Sequence, residues 1–393
     1  MFCLALSLYL AAAGCTLVAP VQTPGGPGSE AGRPARVAPS GEAVAAPSQP
    51  LPGAVSAFPQ ELALLLPLSG PAEEVGEAVR DGFLSAYFQS DAASRPRLRI
   101  YDVAAMPVAA AVAKALGDGA QFIVGPLTKD QVAAMAPLAG RVPVLALNYL
   151  GDAGKAPDGF YQFALQPEEE ARIVARRLVA DGHLRGVCIV PDDEWGSRVE
   201  NAFSTELQRL GGAVLDAQGY TRAQIDFTDI IDSELQIHDV RGEPATHRPD
   251  AAFVFVAGPP GIVRLIMPQL KFHFAGDIPV YSMPDGFAPD PGANADIDGL
   301  RFADMPWMVS GDPATAAIRD AVRAAWPAAT TRRDRLYAFG YDAYHLVPAL
   351  RSGYFNNGAQ LSGMTGRLRL DDHGRIRRGL DWAVIKDGVP QPL

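Results

Sequence analysis

Residues 62–88 read LALLLPLSGPAEEVGEAVRDGFLSAYF and predict a strand, a turn and an amphipathic helix. The apolar run 62–66 is unbroken, which is typical of a strand covered on both faces of a parallel sheet. Gly70 can cap the helix, and Pro71 suits its first position. The residues that share one helical face are Val75, Val79, Phe83 and Tyr87. This stretch therefore predicts the strand–helix unit of an α/β fold.

The same alternation continues to the end of the chain. The predicted strands are LRIYD, FIVG, VPVLAL, GVCIVP, AVLDAQGY, AAFVFVA, IPVYSM and GLRFADM, with GRLRL and LDWAVIKDG as a final strand pair. The predicted helices cover 108–116, 130–139, 168–180, 197–210, 227–235, 262–274, 314–325 and 336–350. Thr128 with Gln131, and Ser197 with Glu200, have the spacing of capping boxes. Alternating strands and helices indicate parallel sheets with helices on both faces.

The first fifteen residues have the features of a bacterial lipoprotein signal peptide. Phe2–Ala13 is an apolar run interrupted only by Ser7, too short to span a bilayer and long enough for a signal-peptide core. Its end, AAAGC, resembles a lipoprotein cleavage box in which Cys15 becomes the lipidated first residue. The box favours leucine where Ala12 stands, and no Lys or Arg precedes the core, so an uncleaved start is the alternative. Thr16, which is not aspartate, predicts sorting to the outer membrane.

Residues 16–58 predict a disordered linker. They are rich in Pro, Gly, Ala and Ser and contain no aromatic residue before Phe58, so they cannot bury enough apolar surface to fold. Such a segment spans about 35 Å as a coil and about 130 Å as extended polyproline. We therefore expect a tether between a membrane anchor and a folded domain.

Composition and charge exclude several classes of function. With 34 basic and 44 acidic residues the formal charge is −10, which argues against nucleic acid or an anionic membrane face as the main partner. The sequence has no P-loop, no GxSxG elbow and no zinc-like histidine spacing. Cys188 lies in the apolar run GVCIV, which predicts a buried thiol rather than a nucleophile. We expect no catalytic residue, no metal and no cofactor.

Two stretches resemble the type I periplasmic binding proteins: the opening 62–88 and FIVGPLTKDQV at 122–132. The resemblance implies an α/β fold with two doubly wound parallel-sheet lobes around a cleft, and a chain that crosses between them three times. The folded domain is expected at 59–393. Lobe 1 is expected at about 59–160 and 284–350, and lobe 2 at about 161–283 and 364–393.

Two further stretches narrow the resemblance to one family. MPQLKFHFAGDIPVYS at 267–282 and DGLRFADMPWMV at 298–309 resemble the LppC lipoproteins, which are penicillin-binding protein activators. The resemblance implies an outer-membrane lipoprotein that faces the periplasm. It implies a bifunctional (class A) penicillin-binding protein as partner, so that the chain regulates peptidoglycan synthesis without being an enzyme.

The cleft implied by the fold gives candidate ligand-binding residues. Ligands there meet strand-end loops and helix N-termini, where free N–H groups favour anions. The candidates are Ser69, Gly70, Gly125, Pro126, Leu127, Thr128, Asn148, Tyr149, Trp195 and Asp285. Amino-acid-binding relatives imply Trp195 over the ligand and Asp285 against its ammonium group, so a small molecule or a muropeptide is the candidate ligand. The alternative is a cleft closed by its own side chains.

Two alternatives remain open from the sequence. The alternative function is a periplasmic solute-binding receptor of the ABC-transport type, for an amino acid or a peptidoglycan fragment. The second concerns GLRFADMPWMV at 299–309, which predicts a strand that returns the chain from the second lobe. Pro306 ends its ladder and Trp307 covers the region between the lobes, or else Trp307 is a docking residue.

Overall fold

The computed structural model describes residues 58–151, 156–239, 244–289, 292, 294–326 and 333–393. The expected signal peptide, Cys15 and residues 16–57 of the expected linker lie outside the described residues. Phe58 stacks on Tyr344 with ring centroids 4.7 Å apart, so this residue belongs to the folded core. No helix in the described part is long and apolar enough to cross a bilayer.

The described residues form fifteen strands and ten α-helices. The strands are β1 (Glu61–Leu66), β2 (Arg97–Asp102), β3 (Phe122–Val124), β4 (Val144–Ala146), β5 (Phe160–Phe163), β6 (Arg185–Pro191), β7 (Ala213–Tyr220), β8 (Val254–Val256), β9 (Val280–Ser282), β10 (Arg301–Asp304), β11 (Leu361–Gly363), β12 (Gly366–Leu370), β13 (Arg375–Gly379), β14 (Asp381–Lys386) and β15 (Val389–Pro392). The helices are α1 (Glu73–Gln89), α2 (Val108–Gly117), α3 (Lys129–Met135), α4 (Pro167–Ala180), α5 (Glu194–Arg209), α6 (Thr228–Leu235), α7 (Pro260–Phe272), α8 (Pro306–Val309), α9 (Pro313–Ala325) and α10 (Asp334–Arg351).

The first sheet has eight strands in the order β11-β12-β13-β5-β4-β3-β1-β2. The run from β13 to β2 is parallel, whereas β11, β12 and β13 pair antiparallel. On β1, Leu62, Leu64 and Leu66 pack with α1 and α10, while Ala63 and Leu65 pack with α2 and α3. The unbroken apolar run is therefore covered on both faces, as the sequence predicts.

The second sheet has seven strands in the order β15-β14-β10-β9-β8-β6-β7. The neighbours β7, β6, β8, β9 and β10 pair in parallel. β14 pairs antiparallel with both β10 and β15. On β6, Val187 and Ile189 pack with α6 and α7, while Cys188 and Val190 pack with α4 and α5. Cys188 is fully buried, and burial raises the pKa of its thiol well above the usual value.

The chain passes between the two sheets three times. It leaves β5 through residues 164–166 to enter α4, leaves β10 at Met305 to enter α8, and leaves β13 at Leu380 to enter β14. Helices α4 and α5 pack in the second lobe, whereas α8 to α10 pack in the first. These crossings give the expected α/β fold of two doubly wound lobes.

The lobe limits differ from the expected ones at two places. Residues 284–304 were expected in lobe 1, but β10 pairs with β9 and β14 in the second sheet. Residues 364–379 were expected in lobe 2, but β13 pairs in parallel with β5, with Arg375 opposite Gln162. GRLRL (β12) and LDWAVIKDG (β14) therefore lie in different sheets and form no pair. Long-range pairing decides which sheet a strand joins, and a local apolar pattern does not contain that information.

One of the two predicted capping boxes is wrong. Helix α5 begins at Glu194, one turn before the expected start at Ser197. Its cap is Asp193, whose side chain accepts from Gly196 N–H at 2.9 Å, because Asp193 is extended and the next residues are already helical. The capping box of Thr128 and Gln131 is confirmed.

Candidate functional site

All the predicted cleft residues follow the carboxyl ends of parallel strands. Ser69 and Gly70 follow β1, residues 125–128 follow β3, and Asn148 with Tyr149 follow β4. Because β4, β3 and β1 are neighbours in the first sheet, these three loops lie side by side. Trp195 follows β6 and Asp285 follows β9. In the second sheet β8 lies between these two strands.

Ser69 is hydrogen-bonded within its own lobe. Its hydroxyl donates to Asp102 Oδ2 at 2.7 Å, and the Leu68 N–H donates to Oδ1 at 2.9 Å. Burial raises the pKa of Asp102, but these hydrogen bonds, together with those from the backbone of Ala104 and Ala105, outweigh burial and lower it. Gly70 is exposed with φ +72°, and no atom lies within 4 Å of a Cβ built there.

The loop after β3 is structurally constrained. Gly125 has φ +97°, and a Cβ on it would lie 2.0 Å from the Leu65 carbonyl oxygen, so only glycine fits. Pro126 and Leu127 are buried. The Thr128 side chain accepts from Gln131 N–H in the capping box.

The loop after β4 connects two parts of the first sheet. Asn148 Nδ2 donates to the Leu127 carbonyl at 3.0 Å, and the buried Tyr149 hydroxyl donates to the Ile376 carbonyl on β13 at 3.0 Å. Burial raises the pKa of Tyr149, and the guanidinium of Arg375 lies 5.2 Å from its ring centroid. Three of the predicted polar side chains (Ser69, Thr128 and Asn148) and Tyr149 thus already have partners within the chain.

Trp195 and Asp285 differ in their surroundings. Trp195 is half-buried against the α4–α5 cluster, with the Arg222 guanidinium 5.9 Å from its ring centroid. Asp285 is exposed in the turn Pro284–Gly286, and its carboxylate has no hydrogen-bond or ion-pair partner among the described residues. No hydrogen bond in the described part joins either residue to the first-lobe loops.

An ion pair near this turn fixes α10 of the first lobe to the second lobe. Arg335 donates to both carboxylate oxygens of Asp304, at 3.1 and 2.5 Å. It also donates to the carbonyls of Pro284 and Phe287, at 2.7 and 3.2 Å. Asp304 is fully buried, and burial raises its pKa while Arg335 opposes that shift. This contact satisfies a carboxylate that would otherwise be stranded in the interior.

Two more arginines connect β13 to the start of α4. Arg378 Nη2 donates to Glu170 Oε1 at 2.6 Å, and Arg377 Nη1 donates to Glu169 Oε2 at 2.9 Å. Burial raises the pKa of Glu170 to about 7, although Arg378 opposes the shift. Together with Arg335–Asp304, these pairs make up what we call the ionic junction.

The burial of Trp307 decides between the two predicted roles of this residue in GLRFADMPWMV. β10 does carry the chain out of the second lobe, and Pro306 begins the short helix α8. Trp307 is 0% exposed in the core of the first lobe, and its backbone N–H donates to the Met364 carbonyl at 3.0 Å. A side chain with no accessible surface cannot dock a partner, so that alternative is wrong.

Sequence reasoning missed a basic groove of about 430 Å³ between α4 and strands β12 to β14. We call it the arginine groove. Its arginines are Arg176, Arg177, Arg367, Arg369 and Arg378. The alternating letters of GRLRL, with arginine at every second position, were the available signal, because alternate residues of a strand share one face.

Two phenylalanines of the stretch 267–282 are exposed. Phe272 is 78% and Phe274 54% exposed, at and just beyond the end of α7. Phe274 adopts φ +59°, in the left-handed region that favours glycine. Between them His273 Nδ1 lies 2.8 Å from Asp232 Oδ1. No group of three or more metal-ligating side chains occurs in the described part.

A family model, described as LppC putative lipoprotein, matches residues 55–388. The penicillin-binding protein activator LpoA of Photobacterium profundum is 29% identical over 347 residues, which cover 84% of this chain and 56% of that protein. The chain spans about half the length of the curated relatives it matches.

Solved structures share the fold. The LpoA C-domain from Haemophilus influenzae, described as a regulator of PBP1A, superposes with a TM-score of 0.69 at 23% identity. The match covers 85% of this chain and 99% of that domain. A putative branched-chain amino acid ABC transporter from Chromobacterium violaceum superposes with a TM-score of 0.65 at 27% identity. That match covers 83% of this chain and 100% of the other.

Proposed function

This chain belongs to the LppC lipoprotein family, and from that premise we propose that it activates a peptidoglycan synthase from the periplasmic side. The partner is a bifunctional, class A penicillin-binding protein, and the chain regulates cell-wall synthesis by docking on it. The chain itself performs no catalysis.

One observation carries this proposal. The family model extends over residues 55–388, so it includes both lobes and all three crossings. Curated relatives that align with the same region are named penicillin-binding protein activators. The use of Ser69, Thr128, Asn148 and Tyr149 in hydrogen bonds within the chain supports a docking protein over a solute receptor.

The proposal includes an anchor. We infer that Cys15 carries lipid, that the lipid sits in the outer membrane, and that residues 16–57 tether the folded domain in the periplasm. The family description and the sequence AAAGC support this inference. Cys15→Ser should move the protein from the outer-membrane fraction to the soluble periplasmic fraction. Recovery of the variant in the outer membrane would contradict lipidation at this residue.

The activity test compares a class A synthase with and without the purified chain. Glycan polymerisation and cross-linking are followed on a lipid-linked precursor at fixed synthase concentration. Faster product formation that saturates with added chain is expected, because an activator acts through a finite set of docking sites. A solute-binding protein of the same fold serves as control, and equal rates with both proteins would overturn the proposal.

A second candidate function rests on one specific observation. Asp285 has an exposed carboxylate without a hydrogen-bond or ion-pair partner in the described part, and Trp195 is half-buried with its ring face near Arg222. We propose as the alternative that the cleft binds an amino acid or a muropeptide. Thermal melting with each ligand should then show a rise in Tm that Asp285→Asn removes. A flat Tm across the panel contradicts this candidate.

A further inference from the structure

We propose that the arginine groove binds an extended acidic peptide segment of the synthase partner. The inference rests on the proposed function, since it names the surface and the chemistry of the docking. It goes beyond the proposed function because neither the family nor the fold designates this groove.

The groove gathers arginine side chains in an acidic protein. Of its ten lining residues five are arginine and none is Asp or Glu, whereas the whole chain has a formal charge of −10. Four of the five arginines pair with carboxylates outside the lining, and Arg369 has no such partner among the described residues. Its walls come from both lobes: Ile173 on α4, and Arg367 and Arg369 on β12. A basic concavity with low-dielectric walls attracts anions and suits a planar carboxylate.

The groove also contains hydrogen-bond donors that have no acceptor among the described residues. Arg369 has no hydrogen-bond or ion-pair partner among the described residues, and its side chain is exposed. Arg367 pairs with Asp381 at 3.0 Å yet keeps 58% of its side-chain surface exposed. Arg378 also lines the groove, but it is buried and pairs with Glu170 at 2.6 Å, so Arg367 and Arg369 supply the accessible donors. Each guanidinium carries five N–H groups, so an incoming carboxylate finds free donors.

The spacing of these donors fits an extended peptide. Arg367 and Arg369 are two residues apart on β12, so they project from the same face at about 7 Å, as alternate residues of any strand do. Acidic residues at every second position of an extended segment have the same period. Gly379 lies directly opposite Arg367, and the Arg367 side chain lies over it, with Nε 3.5 Å from a Cβ built on the glycine.

An apolar wall completes the site. Trp382 is half-buried at the groove, and the Arg177 guanidinium lies 5.1 Å from its ring centroid. Gln360, the residue before edge strand β11, also lines the groove. An edge strand has free backbone groups that can pair with an extended segment, which a glycan chain cannot use. The wall and the edge therefore favour a peptide over a cell-wall glycan.

The main test is a charge reversal in the full chain. Arg367→Glu with Arg369→Glu should weaken binding to the synthase by about tenfold or more and reduce the salt dependence of Kd, because screened charge pairs are lost. Stimulation of the synthase should fall in parallel. Arg369→Glu alone is the second variant, since it breaks no ion pair among the described residues and should fold even if the double variant does not.

The matched control lies at the other edge of the same sheet. Arg97 and Arg99 are two residues apart on edge strand β2, and their side chains are 77% and 54% exposed. Arg97→Glu with Arg99→Glu makes the same change in net charge at a different place. Binding to the synthase should stay within about twofold of the unaltered chain, which separates the groove from a general charge effect.

The outcomes distinguish the groove from the function. If the unaltered chain neither binds nor stimulates the synthase, the proposed function fails. If it stimulates, and the groove and control variants bind equally, the groove inference is overturned. If the groove variants lose only retention on purified peptidoglycan, the ligand is the cell-wall polymer and the peptide inference is overturned. A synthetic peptide with glutamate at every second position should bind the unaltered chain and bind the groove variants less.

Discussion

The polar side chains of the first-lobe cleft loops are bonded within the chain, whereas one arginine of the arginine groove is not. In the cleft loops the Ser69 hydroxyl bonds Asp102, the Thr128 side chain caps α3, and the Tyr149 hydroxyl bonds β13. In the groove Arg369 has no partner among the described residues. Groups already bonded inside the chain contribute to stability, whereas groups without partners are available to another molecule. The difference suggests that docking surfaces are better sought where donors are unsatisfied than where the fold usually holds a ligand.

The largest effect is expected at the ionic junction. Arg335→Ala should lower the free energy of unfolding by about 3–5 kcal/mol, because it leaves the carboxylate of Asp304 buried without its partner. Urea unfolding followed by circular dichroism measures this. Arg333→Ala is the control: Arg333 pairs at 3.3 Å with Glu74, whose side chain is 62% exposed, so about 1 kcal/mol or less is expected. Equal losses in both variants would contradict the assignment.

The second effect is a dependence of stability on pH. It arises from a buried carboxyl group that lies outside both the predicted cleft and the arginine groove. Glu234 is fully buried, both its oxygens lack partners in the described part, and burial raises its pKa from 4.5 to about 8. In the folded state Glu234 therefore keeps its proton up to about pH 8, whereas in the unfolded state it loses the proton above about pH 4.5. Stability should fall as pH rises from about 5 to 8, by at most ~1.4 kcal/mol per pH unit from this group.

Glu234→Gln should remove the contribution of this group, as judged by urea unfolding at several pH values. Below about pH 7 part of the slope should remain, because burial also raises the pKa of Glu170 to about 7. Glu206→Gln is the matched control. Its hydrogen bonds with Arg209, and then with Arg176, lower the pKa of Glu206 to about 2, so its own contribution is lost only as pH falls below about 4.5. Between pH 5 and 8 the control should shift stability without changing the slope. A slope between pH 7 and 8 that Glu234→Gln leaves unchanged would contradict the assignment to Glu234.

A smaller effect is expected in the cleft loops. Thr128→Ala removes the cap of α3 and should cost about 1 kcal/mol. If Thr128 instead contacts a ligand, the variant should also lose a ligand-induced rise in Tm. Thr128→Ser, which keeps the hydroxyl, should retain most of the stability. A loss below about 0.3 kcal/mol would show that the cap is unimportant.

The smallest effect on stability is expected in the groove. Arg369→Ala should change the free energy of unfolding by less than about 0.5 kcal/mol, because an exposed arginine without a partner contributes little. The same variant should weaken synthase binding. A stability loss above about 1 kcal/mol would place Arg369 among the structural arginines and narrow the contrast between the two regions.

The alternation of predicted strands and helices in this sequence was enough to predict most of the fold. Leu62 to Leu66 predicted a doubly covered strand because each of its faces is apolar, and both faces are buried. The lobe membership of β13 was not predictable, since it depends on pairing with β5 more than two hundred residues earlier. Asp193 was missed as a cap because Ser197 and Glu200, one turn later, have the spacing of a capping box.

The cleft and the groove were not equally accessible to sequence reasoning. The fold places loops at strand ends, so the locations of Ser69 and Asp285 followed from the alternation alone. Whether a side chain there is already bonded depends on distant partners, as with Tyr149 and the Ile376 carbonyl. The arginine groove needs α4 and β12 side by side, and those elements are almost two hundred residues apart.

Phe58 has a mechanical consequence. Its ring stacks on Tyr344 in the core of the first lobe, and three residues later the chain enters β1, between β2 and β3. A pull applied through the preceding residues reaches the lobe at this stack and then acts along a central strand. Force along this strand loads a parallel ladder on each side in shear, so the hydrogen bonds to β2 and to β3 resist together. The point of attachment is therefore a strand that is held on both sides.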